Sequence, residues 1–434
     1  MTTRTLLRGA CVLTLGERSA NLAAGDVLID DGVVAEVGAG LRARDAEQID
    51  ATDTIVMPGF VDTHRHTWTS LFRNLGAGSD GGVPSTAALA ERVRPDDVYA
   101  ATLVGLLGAT EAGITTVVDW TLAGRDGLAE AALQAHVDAG VRTVFVHAPD
   151  DAVDRVAVDH LREAAGPSTR VAFGSHVRAK TDVGPVADGW AIARELGLRI
   201  HAHLDPDDAG PGAIAEFGAR GILGDDVTLV HPMELSDADA DAIASSGAAV
   251  SFAPASDMAS GFGAPPIQQL IDRDVRPGLG VNEERLTPGD LFAQMRATIS
   301  VQHATVFDRK LAGKAGLPKL MSTRDVIRSA TAHGGRTAGW GDRVGSLEPG
   351  KQADVIVLRT DRPNVFPIND PIGAVVWGMD TSNVSWVIVG GRVLLRDGEL
   401  QGDAGRAREL AVAARERITA TSGPAIGSVP EGVA

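Results

Sequence analysis

Between about residue 55 and residue 310 one unit recurs: a short apolar run followed by a segment of helical length. The runs fall at 55–61, 114–119, 142–147, 170–176, 199–203, 227–231, 249–252 and 276–280. Helix signals lie between most of them. Pro95-Asp96-Asp97 opens one helix that Gly113 closes, and Ser236 with Asp237 caps another running to Ser246. Strands alternating with helices pair in parallel. Eight such units in roughly 250 residues fit a closed (β/α)8 barrel better than an open sheet. Chemistry is then expected where the strands end, at the C-terminal mouth.

The flanks read differently. Residues 10–15, 26–30 and 33–37 are apolar or alternating, and Asp31-Gly32 between the last two marks a two-residue hairpin. After the barrel, a helix at 323–333 is expected to stop at Gly334-Gly335. Strands follow at 353–358, 374–377 and 384–395, the last folded around Gly390-Gly391. A final helix spans 404–419, and a Gly/Pro/Ser-rich end follows. The expected architecture is an α/β chain: a TIM-like barrel over 58–340 and a small β-sandwich built from both chain ends, 1–57 and 341–400. A C-terminal helix and tail take 401–434.

The 40 basic and 57 acidic side chains leave a formal charge of −17. That argues against nucleic acid or an anionic membrane as partner, because both need local positive charge. Cys11 is the single cysteine, so neither an intrachain disulfide nor a cysteine metal site is available. Arg4, Arg8 and Gly9 interrupt the first ten residues, which therefore lack an export-type apolar core. No run approaches the ~20 apolar residues of a membrane span. The expectation is a cytoplasmic protein acting on a small molecule. A homo-oligomer is compatible with this reading, but no residue pattern fixes one.

Six of the eleven histidines, His64, His66, His147, His176, His203 and His231, end or just follow a predicted strand. In extended backbone, i and i+2 point to one side, so His64 and His66 aim into one volume. A catalytic zinc takes three protein ligands and keeps a place for water, whose pKa falls to about 7. His64, His66 and His203 can supply three nitrogens. His231 is either a further ligand or an acid/base group on the water. The expected cofactor is one divalent metal ion, zinc first, with iron or manganese also compatible.

Met57-Pro-Gly-Phe-Val-Asp-Thr-His64-Arg-His66, His201-Ala-His203, Thr228-Leu-Val-His231-Pro, Pro277-Gly-Leu-Gly-Val-Asn282 and Gly345-Ser-Leu-Glu-Pro-Gly-Lys-Gln-Ala-Asp354 resemble the amidohydrolase superfamily. The match is to its aminohydrolase and chlorohydrolase branch, which acts on nitrogen heterocycles. The resemblance runs in order over nearly the whole chain. It implies a barrel with a two-ended β-sandwich, a divalent metal and hydrolysis of a C–N bond, most simply deamination. Many members hold two metals through a carboxylated lysine on strand 4. Here Lys180, in the loop after His176, is the only lysine between His66 and His303, so one metal is expected. His303 reads as structural.

The chain departs from the branch at two places. The glutamate that usually follows the strand-5 histidine by three residues is Pro206, with Asp205, Asp207 and Asp208 around it. The strand-8 aspartate is Asn282, whose amide cannot serve as a general base near neutral pH. Three readings stay open. Asn282 is a deliberate Asp→Asn change; or it is natural, with Glu283 or Glu284 taking the role; or the chain is a non-hydrolytic relative, a lyase or a binder. An amide, lactam or halide substrate also fits the branch. The expected catalytic set is His231, Asn282, Asp205 and Glu283. The expected substrate contacts are Trp68, Phe72, Arg73, His176, Arg178 and Met258, with the Gly-rich stretch 76–82 as a lid.

Overall fold

The computed structural model describes residues 4–75, 86–122, 127–149, 153–177, 183–204 and 210–420. Two sheets organise it. One has eight strands, all parallel: Phe60–Arg65, Ile114–Trp120, Arg142–His147, Thr169–Val177, Ile200–Leu204, Val227–Val230, Ala249–Phe252 and Gly278–Leu279. These are barrel strands 1 to 8 below. Strand 8 returns to strand 1 through a parallel bridge between Arg65 and Asn282, which closes the barrel. Helices Pro95–Glu111, Leu128–Ala139, Arg155–Ala164, Val183–Glu195, Ala213–Ala219, Asp237–Ser246, Ile267–Ile271 and Leu291–Leu311 follow the strands in turn. Among the described residues no helix is long and apolar enough to cross a membrane.

The second sheet has nine strands and draws on both chain ends. Arg4–Val12 pairs antiparallel with Leu22–Asp30 and parallel with Thr54–Pro58, and Thr54–Pro58 pairs antiparallel with Val355–Arg359. The Asp31-Gly32 turn has both residues at positive φ, 48° and 78°, the backbone that a two-residue hairpin of this type requires. A buried ion pair ties the sheet to the barrel: Arg142 at the foot of strand 3 reaches Asp354 at 2.7 and 2.9 Å.

Three expected elements come out differently. The apolar run at 55–61 is two strands, Thr54–Pro58 in the end sheet and Phe60–Arg65 in the barrel. They part at Gly59, where a Cβ would meet the Thr115 side chain at 2.1 Å, so only glycine lets the chain turn there. The helix expected at 323–333 is two short helices, Thr323–Ser329 and Ala332–Thr337. Gly334 and Gly335 lie inside the second rather than ending the first. A Cβ on Gly334 would meet the Val61 backbone oxygen at 3.1 Å, so the pair permits close packing on strand 1. Residues 374–377, read as a strand, belong to the helical turn Ala374–Gly378. Asp370 starts that turn by accepting the Ile372 N–H, and Val375 and Val376 are its buried side. The final helix, Ala404–Thr419, lies where its pattern places it.

Candidate metal and active site

Strand 1 ends in His64-Arg65-His66 and strand 5 carries His203 near its end. Parallel pairing brings their tips to one mouth. One ring nitrogen from each of His64, His66 and His203 falls within 4.8 Å of the others, a spacing one ion can gather. The donor chemistry fits a divalent metal. Among the described residues, neither ring nitrogen of His64 has a hydrogen-bond partner, nor does Nδ1 of His203. His66 Nδ1 stands 3.2 Å from the Trp120 carbonyl, which leaves its Nε2 for a ligand. Burial, reinforced by the neighbouring histidines, holds His64 and His203 well below their ordinary pKa. Burial likewise takes His66 down to about 4, against the pull of Asp119. All three are therefore neutral at pH 7, as metal ligation requires.

His231 follows strand 6 in left-handed backbone, φ 54°, a costly conformation for a non-glycine residue. Its ring centroid lies 5.0 Å from those of both His64 and His203. Asn282 is also left-handed, φ 63°, and its Nδ2 donates to Ser256 Oγ at 3.2 Å. His176 is exposed at the end of strand 4. Its ring is 5.7 Å from His203 and 5.2 Å from Trp120, so it stands at the mouth rather than in the core. Trp120, at the end of strand 2, packs edge-on to His64, His176 and His203. Sequence reasoning passed over Trp120; the available signal was its place at a strand end, directly after Asp119. His147 also ends a strand, but its charged neighbours are Glu130 and Asp154 rather than the histidine cluster.

A second layer backs the histidine cluster. Asp119 accepts from Thr67 N and Oγ and sits 2.7 Å from His136 Nε2, pinning the turn after His66. Arg65, enclosed between the two ligand histidines, pairs with Asp62 at 3.0 Å and with Glu284. Glu284 also takes Arg73 and Ser70, so both of its oxygens are engaged in this cluster. Glu283 is only partly covered; burial pushes its carboxyl up, against Arg285.

Two expected substrate contacts, Trp68 and Phe72, pack inward. Phe72 is fully buried and Trp68 nearly so, 6.2 Å apart in an apolar cluster with Leu89, Val98 and Phe145. They belong to the helical turn Thr67–Phe72 and seat it, instead of forming a loop over the mouth. The Arg73 charge is taken by Glu284. Met258 is 40% exposed on the short helix Pro254–Ala259 after strand 7. His303 caps nothing catalytic; its Nε2 meets the Met321 carbonyl at 2.9 Å. Asp205, Pro206, Asp207, Asp208, Arg178, Lys180, the stretch 76–82 and the tail beyond 420 lie outside the described residues.

The Amidohydrolase family model matches residues 55–394. The chain belongs to the amidohydrolase family. Among its relatives is the 5'-deoxyadenosine deaminase of Methanothermobacter thermautotrophicus, 29% identical over 91% of this chain and 95% of that protein. The 5-methylthioadenosine/S-adenosylhomocysteine deaminase of Symbiobacterium thermophilum is 28% identical, covering 91% and 94%. In fold, this amidohydrolase superposes on a zinc-bound adenosine deaminase from Xanthomonas campestris with a TM-score of 0.81, 21% identity, and 96% and 99% coverage.

Proposed function

We propose that this amidohydrolase is a zinc-dependent aminohydrolase that removes ammonia from an amino-substituted ring of the adenine type. The observation that carries the reading is the neutral histidine trio, His64 buried and His66 and His203 half-buried, gathered at the mouth near the exposed His176. Relatives of nearly equal length named as deaminases of adenosine-type nucleosides support it.

A bound divalent ion supplies Lewis acidity and brings the pKa of a water near ~7. The protein does the rest. His64, His66 and His203 would hold the ion. Trp120 and His176 offer flat edges against which a planar heterocycle can rest. His231 takes the water's proton as the water oxygen bonds to the amine-bearing carbon. Protonation of the amine nitrogen, which then leaves as ammonia, is assigned to Glu283, the half-buried carboxyl next to Asn282. Asn282 orients without accepting a proton.

The test is ammonium release from a panel of aminated purine nucleosides, pyrimidines, triazines and lactams, with metal content measured on the same sample. Release from purine nucleosides supports the proposal. Turnover confined to triazines or lactams moves the substrate class. Metal bound with no turnover of any compound favours a lyase or a binder.

A further inference from the structure

With Asn282 neutral, the proton-handling group at this site needs its charge from elsewhere. The buried carboxylates around the mouth can be eliminated in turn. Asp62 is held by Arg65 and by the N–H groups of His64 and Val281. Asp119 is held by Thr67 and His136. Glu284 is held by Arg65, Arg73 and Ser70. Asp257, after strand 7, is different. It is 0% exposed, and its Oδ2 accepts the Ala253 N–H at 3.0 Å, but its Oδ1 receives no hydrogen bond from the described residues. Oδ1 lies 2.8 Å from His231 Nδ1, a contact at ion-pair distance whose angle falls short of a hydrogen bond. Among the described residues, neither nitrogen of His231 has another hydrogen-bond partner.

We infer that Asp257 is the positioning residue of this site: it accepts Nδ1–H of His231 and leaves Nε2 bare toward the reacting water. A small turn of the ring converts the 2.8 Å approach into that bond. The inference rests on the proposed hydrolytic role of His231 and adds its carboxylate. When the water O–H bond breaks, the proton goes to Nε2 and the imidazolium so formed lies against the Asp257 carboxylate, which keeps its charge. The same turn carries Ser256, the acceptor of the Asn282 amide. Position 282 thus braces the strand-7 segment that supplies the charge it lacks.

The experiment uses the full-length protein loaded with zinc and labelled with 15N-histidine, as native chain, Asp257→Asn and Asp257→Glu, with His231→Gln to assign the signal. The native spectrum should show His231 protonated at Nδ1 with a strongly shifted Nδ1–H proton. Asp257→Asn should abolish that proton and Asp257→Glu should keep it, with zinc content and melting temperature unchanged. In turnover, Asp257→Asn should lower kcat by ~10²–10⁴-fold, the usual range for a general base, at nearly constant KM. Asp257→Glu should recover part of the loss. A His231 protonated at Nε2, or an Asp257→Asn protein with native kcat, overturns the inference. If no form turns over yet the Nδ1–H signal still depends on Asp257, the pairing stands and the deaminase reading falls.

Discussion

The carbonyl oxygen of Asn282 accepts the backbone N–H of His66 at 2.7 Å, and the N–H of Asn282 donates to the His64 carbonyl at 2.9 Å. The end of strand 8 is therefore fastened to both ligands on strand 1. An aspartate placed at 282 would keep these bonds, since they are backbone bonds, and could accept from Ser256 in place of donating to it. Under the proposed mechanism, in which His231 takes the proton, Asn282→Asp is expected to keep zinc content and fold and to change kcat by less than about tenfold. Steady-state ammonium release on both forms measures this.

Metal and stability are linked. If the folded trio binds zinc as proposed and the unfolded chain does not, the ion stabilises by ~4 kcal/mol at a thousandfold excess over Kd. Adding a chelator should lower the melting temperature of the native protein by several degrees. His203→Asn should melt at the chelated temperature whether zinc is present or not. Calorimetry with and without chelator reads both.

Gly280 sits under the first ligand. A Cβ there would lie 2.7 Å from the His64 carbonyl oxygen and 2.9 Å from its nitrogen, both backbone atoms that cannot swing aside. Gly280→Ala should cost ~1–3 kcal/mol of stability, as overpacking does. It should also weaken zinc binding by ~10–100-fold, the range for disturbed ligand support. Competition titration with a zinc chelator and denaturant melts separate the two effects.

Acid should loosen the Arg65 cluster. Burial alone would raise the Glu284 carboxyl, but Arg65 and Arg73 outweigh it and hold the group down at about 2, against 4.5 unfolded. Its folded pKa is the lower one, so its contribution is fully present above pH 4.5 and is lost as pH falls toward 2. Glu284→Gln should flatten the stability profile in that window. At neutral pH it should cost ~3–5 kcal/mol, because Arg65 loses a buried partner. Urea melts across the pH range check both parts.

Much of this could be read from residue order. The apolar runs carry the barrel because each strand is buried on both faces, and the histidines that end those runs mark the mouth. The same burial hides boundaries. Residues 55–61 are apolar throughout because one half lies in the end sheet and the other in the barrel, so only Pro58-Gly59 signals the break. The 374–377 run was ambiguous for the same reason: four apolar residues fit a strand or a helical turn equally. The second layer was not legible. Arg65 and Glu284 are 219 positions apart, and nothing local at Asp257 announces that His231 is its neighbour. Phe72 and Trp68 looked like pocket residues because aromatics near a ligand motif can face either way; packing against Leu89 and Phe145 decided it.

The central claim is that the histidine trio of this amidohydrolase drives hydrolytic deamination with no aspartate at 282. The most direct test is ammonium release from an adenosine-type nucleoside by the native chain, stripped of metal and then reloaded with zinc. No release is expected from the stripped protein, with release restored at about one zinc per chain. Zinc bound at that stoichiometry with no release by the native chain, while Asn282→Asp releases ammonium, would contradict it.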